Sequence, residues 1–176
     1  RESGQGNPGV RSLALLSSLM LLLATPARAT DVTGEIIDQP SGRLIPARLY
    51  IQSDDGRWFF AQSASTNGSA IRYEKRNWVH TNSAELHVTL SGHPFRVELP
   101  PGAYTFTVER GTEYRPLVRR VEIAKDAVQL KLPLHRWIDM ASRGWFSGDT
   151  HVHRSLTDLP NVMLAEDLNV AFPFTY

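Results

Sequence analysis

Residues 103–109, "AYTFTVE", set Tyr104, Phe106 and Val108 on one side of an extended chain and Thr105, Thr107 and Glu109 on the other. Successive side chains of a strand point to opposite faces, so this alternation predicts a half-buried β-strand with an aromatic face toward a core. A helix would gather apolar residues three and four apart, and the segment has no such stripe.

The same pattern recurs outward from this strand. "DVTGEIID" (31–38), "PARLYIQS" (46–53), "GRWFFAQS" (56–63), "ELHVTL" (85–90), "FRVELP" (95–100), "LVRRVEIA" (117–124) and "AVQLKLPL" (127–134) are rich in β-branched, aromatic or alternating residues. They follow one another at a spacing typical of sandwiches and barrels. Pro and Gly in "QPSGRLIPA", "SDDGRW" and "LPPGAY" stand where turns need a fixed or positive φ. The expected fold is mainly β, an antiparallel sandwich of two packed sheets with about seven or eight strands in all.

Two motifs carry a resemblance. "GEIIDQPSGRLIPARLYI" (34–51), followed by "VELPPGAYTFTVERGTEYRP" (97–116), resembles the carboxypeptidase-regulatory or transthyretin-like β-sandwich. The resemblance covers about residues 32 to 134 and implies an accessory module beside a catalytic domain. Between the motifs, "STNGSAIRYEKRNWVHTNSAE" (65–85) is polar and weakly patterned, and is read as a long surface loop or an inserted hairpin. Trp58, Phe59, Tyr73 and Trp78 could form an aromatic platform for a ring ligand, but burial between the sheets is the expectation, because large aromatics dominate cores. His80, His87 and His93 lack metal-ligand spacing and are read as surface or turn residues.

The composition sets limits on the whole. With 176 residues, 41% hydrophobic and 21% charged, the chain suits one globular domain and the start of another. Near the beginning, the apolar run Leu13–Ala24 precedes Ala27-Arg28-Ala29, the small-x-small pattern of a signal-peptidase site, so cleavage after Ala29 and a periplasmic or secreted location are expected. The run is shorter than the roughly 20 residues of a membrane-spanning helix, so no stable membrane anchor is expected. Polar Arg1–Gly9 reads as upstream sequence, with Val10 as an alternative start. Without residues 1–29 the formal charge moves from +1 to −1, which leaves no basic face for nucleic acid. There is no cysteine, so a metal site would have to be built from His, Asp and Glu.

After "LPLHRWIDMASRG" (132–144) the pattern changes. "WFSGDTHV" reads as a strand, "SLTDLP" as a loop with Pro160 near a helix start, "NVMLAEDL" as a short helix and "NVAFPFTY" as a buried strand. Strand, helix and strand make a βαβ unit with parallel strands. The expected division is residues 1–29 leader, 30–135 sandwich, and 136–176 the first βαβ unit of a truncated α/β barrel, since a closed barrel needs at least about 200 residues.

In "GWFSGDTHVHRS" (144–155), His151 and His153 stand two apart and so share one strand face. At the carboxyl end of a first barrel strand both imidazoles would face the mouth, where barrel enzymes keep their chemistry. Imidazole pairs suit Zn, Mn or Fe ions. The segment with its flanks resembles the opening of PHP-type metallohydrolases (the polymerase and histidinol phosphatase superfamily), in particular the branch of carbaryl-type carbamate hydrolases, where a sandwich also comes first. The resemblance implies metal ligation by His151 and His153. It also implies that Asp149 is either a carboxylate behind the ligands that fixes an imidazole tautomer or a nearby structural partner, and that Arg154, beside the ligands, is either a contact for an anionic or carbonyl-bearing small-molecule substrate or part of a surface salt bridge. Asp158, Glu166 and Asp167 are weaker candidates, the last two expected to face solvent. The remaining family ligands have no counterpart here, so this chain alone is expected to be inactive. Two other readings remain: a non-catalytic exported β-sandwich that binds sugar, peptide or a catalytic partner, and an amidohydrolase-type barrel.

Overall fold

The computed structural model describes residues 28–77, 79 and 84–174. The leader expectations on residues 1–27, together with Trp78 and His80, lie outside the described residues. Eleven strands build the first unit: β1 (Thr30–Asp38), β2 (Ala47–Ser53), β3 (Trp58–Phe59), β4 (Gln62–Ser63), β5 (Ala70–Arg76), β6 (Ala84–Leu90), β7 (Phe95–Leu99), β8 (Gly102–Glu109), β9 (Tyr114–Arg115), β10 (Leu117–Ile123) and β11 (Val128–Arg136). One sheet runs β4-β7-β1-β11-β9 and the other β10-β8-β2-β6-β5, with β3 paired to β2.

Both sheets contribute to one core. Tyr104, Phe106 and Val108 of β8 are buried, as are Leu49 and Ile51 of β2, and they meet Val32, Phe95, Leu99, Leu132 and Leu134 from the other sheet. The Tyr104 hydroxyl donates to the Pro100 carbonyl at 2.7 Å, so the ring is buried without an orphaned polar group. The fold is thus mainly β and a sandwich, with one departure from pure antiparallel pairing. β1 and β11, the first and last strands, pair in parallel from Val32–Val128 to Asp38–Leu134. No short hairpin joins them, so nothing forces them to be antiparallel.

Two segments differ from expectation. "GRWFFAQS" splits into β3 and β4, which belong to different sheets. The polar 65–85 segment contains β5, which pairs antiparallel with β6 from Ala70–Leu90 to Arg76–Ala84, the hairpin alternative. As the edge strand of its sheet, β5 has little apolar patterning to show.

A shorter second unit follows: β12 (Gly148–Val152), α1 (Leu159–Ala165) and β13 (Val170–Pro173), with β12 and β13 parallel. Asp167 ends the helical stretch by adopting a left-handed conformation, φ 56°, and Leu168 N–H donates to the Met163 carbonyl at 2.9 Å. A non-glycine residue there costs about 1 kcal/mol and needs compensation from its surroundings.

The sandwich supplies that compensation. Asp167 Oδ1 accepts from Arg110 Nη2 at 2.6 Å and Oδ2 from Arg136 Nη2 at 2.7 Å. Arg110, only 9% exposed, also donates to the Pro46 carbonyl at 2.6 Å and to the Leu164 carbonyl. Arg48 pairs with Glu166, and Arg136 with Glu113. Glu166 and Asp167 therefore do not face solvent: the guanidinium groups that hold them come from strands far away in sequence. Cations at the carboxyl end of a helix are also favoured by its dipole. Gly111, φ 47°, permits this approach, because a Cβ there would stand 2.4 Å from the Glu166 carbonyl oxygen. The helix packs across β6, where the Asn161 amide donates to the Thr89 carbonyl at 3.1 Å. As a result β6 is covered on both faces, and Leu86 through Leu90 are all buried.

Gly34 tests the sandwich packing. A Cβ added at this β1 position would stand 2.3 Å from Phe95 Cζ on β7, whose ring is fully buried. Gly34→Ala is expected to cost about 1–3 kcal/mol through overpacking, read as a lower urea midpoint at unchanged slope. An unchanged midpoint would refute the close approach.

Candidate functional site

The imidazoles of His151 and His153 converge. Their Nε2 atoms lie 2.9 Å apart, and the ring centroids are 4.8 Å apart at an interplanar angle of 61°. β12 ends at Val152, whose side chain turns inward and is buried, so the two histidines are left exposed on the opposite face. Phe174, just past β13, packs against both rings, with centroids at 4.6 Å and 5.8 Å, and its N–H donates to the Val152 carbonyl at 2.9 Å. At 2.9 Å one Nε2 donates to the other, so a cation held by both Nε2 atoms would require the donor ring to take the tautomer protonated at Nδ1, as the acceptor ring already has. Two neutral imidazole nitrogens are a suitable but incomplete donor set. Among the described residues no group of three or more His, Cys, Asp or Glu side chains could hold a metal ion.

Asp149 acts through the backbone: its Oδ1 accepts the His151 N–H at 2.9 Å, which fixes the turn of chain carrying the first imidazole. The contact made by this carboxylate is thus with the main chain beside the first imidazole. Arg154 lies with its Cζ 4.4 Å from the Tyr73 ring centroid, so the residue after the histidine pair rests on β5 of the sandwich. The Asp158 N–H donates to Ser155 Oγ at 3.1 Å, before the helix.

A cleft of about 740 Å³ separates these residues from the sandwich. Arg48, Glu85, His87, Thr89 and Glu109 line it on one side, and Asp149, His151, His153, Arg154 and Glu166 on the other. His87 is the residue that sequence reasoning misplaced. Expected at the surface, it is 3% exposed, with its ring 5.1 Å from both Tyr50 and Tyr73, because the second unit covers the outer face of β6. The signal available was the alternation of "ELHVTL", which puts His87 and Thr89 opposite Leu86, Val88 and Leu90, but nothing local announces a cover on that side. Burial, then the Arg48 and Arg154 charges, push the His87 imidazole down to about 4. Glu85 Oε1 stands 3.4 Å from Nδ1 but out of line for a hydrogen bond, and it is shared with Arg48 at 3.6 Å, so it does not reverse that direction.

Among the described residues, Phe59 and Tyr73 do not share a platform. Phe59 packs edge-on against Tyr104 at 5.4 Å, on the core side, while Tyr73 serves the cleft. His93 sits in a turn, its Nδ1 2.9 Å from Ser91 Oγ.

No protein-family model matches the chain, and no curated protein matches it. Among solved structures, the pilus 2b backbone protein of group B streptococcus is similar over 61% of this chain and 41% of that one, at 14% identity and TM-score 0.40. Phospholipase PlaB from Legionella pneumophila is similar over 66% of this chain and 27% of that one, at 15% identity and TM-score 0.38. The chain spans less than half the length of either protein. Likenesses this distant carry nothing about activity.

His87 gives the site a pH signature. Its charged form is disfavoured in the fold, so the neutral ring contributes stability that is present above about pH 6.5 and lost as the pH falls toward 4. Urea unfolding of wild type and His87→Gln across that window is expected to show a steeper loss for wild type, on the order of 2 kcal/mol. Parallel curves would show that His87 is not buried in neutral form.

Proposed function

We propose that the chain is the amino-terminal part of an exported, metal-dependent hydrolase that cuts ester, carbamate or phosphoester bonds of small molecules. The observation that carries this reading is the 2.9 Å convergence of His151 and His153 Nε2 at the carboxyl end of a parallel strand, open to a cleft. Ligands of α/β sheets bind beyond the carboxyl ends of their strands, and barrels place metals there. The exposed Val170 and Phe172 of β13 support a sheet that continues into further strands, because parallel sheets bury both faces.

His151 and His153 would hold the ion through Nε2, with the other ligands supplied by sequence beyond Tyr176. When bound, a divalent ion would lower the pKa of a water toward about 7 and polarise the carbonyl or phosphoryl oxygen under attack. Asp149 holds the main-chain N–H of His151, so the chain at the first ligand is fixed before anything binds. Phe174 packs against one side of the pair. No serine or cysteine nucleophile is required.

Zinc titration by calorimetry tests the ligand assignment. His151→Ala and His153→Ala are each expected to weaken Zn²⁺ binding by about tenfold or more, with the sandwich still folded. Unchanged affinity in both variants would leave the non-catalytic sandwich module as the better description.

A further inference from the structure

The cleft has a second end, built by the sandwich. Most of its charges are neutralised by their neighbours: Arg48 by Glu166 and Glu85, Asp167 by Arg110 and Arg136, and Glu113 by Arg136. Of the two guanidinium groups among the lining residues, Arg48 is held by Glu166 and Glu85, whereas among the described residues no carboxylate pairs with Arg154; the lining carboxylates Glu109 and Asp149 have no ion pair there either. The Arg154 Cζ lies over the Tyr73 ring, 4.4 Å from the centroid, a cation–π contact that a guanidinium can make while still donating N–H groups to another partner. On the same Tyr73 ring rests His87, nine-tenths and more buried, whose Nδ1 has no hydrogen-bond partner although the residue lines the cleft. An unsatisfied buried nitrogen costs about 1–3 kcal/mol unless something in the cleft meets it.

We infer that Arg154 and His87, held together by Tyr73, form a subsite for the anionic tail, a carboxylate or a phosphate, of a small-molecule ligand. Arg154 offers N–H donors whose edge matches the paired oxygens of either anion, and the neutral His87 ring adds one N–H when its tautomer places the proton on Nδ1. The other polar groups around His87 are Arg48 and Tyr50 on β2 and Glu85 on its own strand. Glu85 is turned to Arg48, so it does not occupy the donor edge of Arg154. The sandwich is then one wall of the substrate cleft, and its role is recognition as well as support. This deepens the hydrolase reading by naming a handle on the substrate, and rests on that reading only for the bond that is cut.

The test uses the whole chain in the presence of chelator, with ¹⁵N-labelled histidine, titrated separately with benzoate, inorganic phosphate and neutral benzamide. One of the two anions is expected to shift the His87 ring signals saturably, and the tighter one identifies the tail as carboxylate or phosphate. By calorimetry, Arg154→Gln and His87→Leu are each expected to weaken that anion about tenfold or more, while Arg43→Gln, at an exposed turn outside the cleft, leaves it within about twofold. The proposal is overturned if neither anion saturates, if benzamide acts equally, or if Arg154→Gln binds like wild type. Zinc is absent throughout, so anion binding that survives alongside failed zinc binding would retire the hydrolase reading and keep the subsite.

Discussion

The Asp167 carboxylate between the guanidinium groups of Arg110 and Arg136 sets the position of everything that follows β11. Arg110 is buried and charged, a combination that is unfavourable unless every donor finds an acceptor. Its Nη atoms do so on the Pro46 carbonyl, the Leu164 carbonyl and Asp167, three groups drawn from both units, while its buried Nε has no hydrogen-bond partner among the described residues. Removing any one would strand a charge in a poorly hydrated place. The left-handed turn at Asp167 and the absence of a side chain at Gly111 are the local conditions that let these groups meet.

From that contact the rest follows by geometry. With the end of α1 fixed, the helix lies over β6, and His87 and Thr89 exchange solvent for a packed surface. β12 then runs so that His151 and His153 face back across the cleft toward the outer face of the β2, β6 and β8 sheet. The same docking brings Arg154 onto Tyr73 and makes the sandwich part of the site.

Most of the sandwich was legible in the sequence, because its rule is local. Period-two alternation in residues such as Tyr104, Phe106 and Val108, with Pro and Gly at the turns, needs no knowledge of distant chain. The shared face of His151 and His153 was legible for the same reason. What stayed hidden depends on partners far away: β5 is an edge strand made of "AIRYEKR", His87 is buried by a segment about seventy residues later, and Glu166 and Asp167 look solvent-facing until three arginines of the sandwich are placed beside them. The parallel pairing of β1 with β11 is likewise a property of the closed sandwich and of neither strand alone.

The central claim is that the second unit is held to the sandwich by the Arg110–Asp167 pair. A double-mutant cycle with Arg110→Ala, Asp167→Asn and the combination, followed by urea unfolding, tests it most directly. The account predicts a coupling energy of about 1–3 kcal/mol, with the double variant little worse than either single one. Strict additivity would mean that the two residues do not meet, and the cleft and both of its ends would fall with that contact.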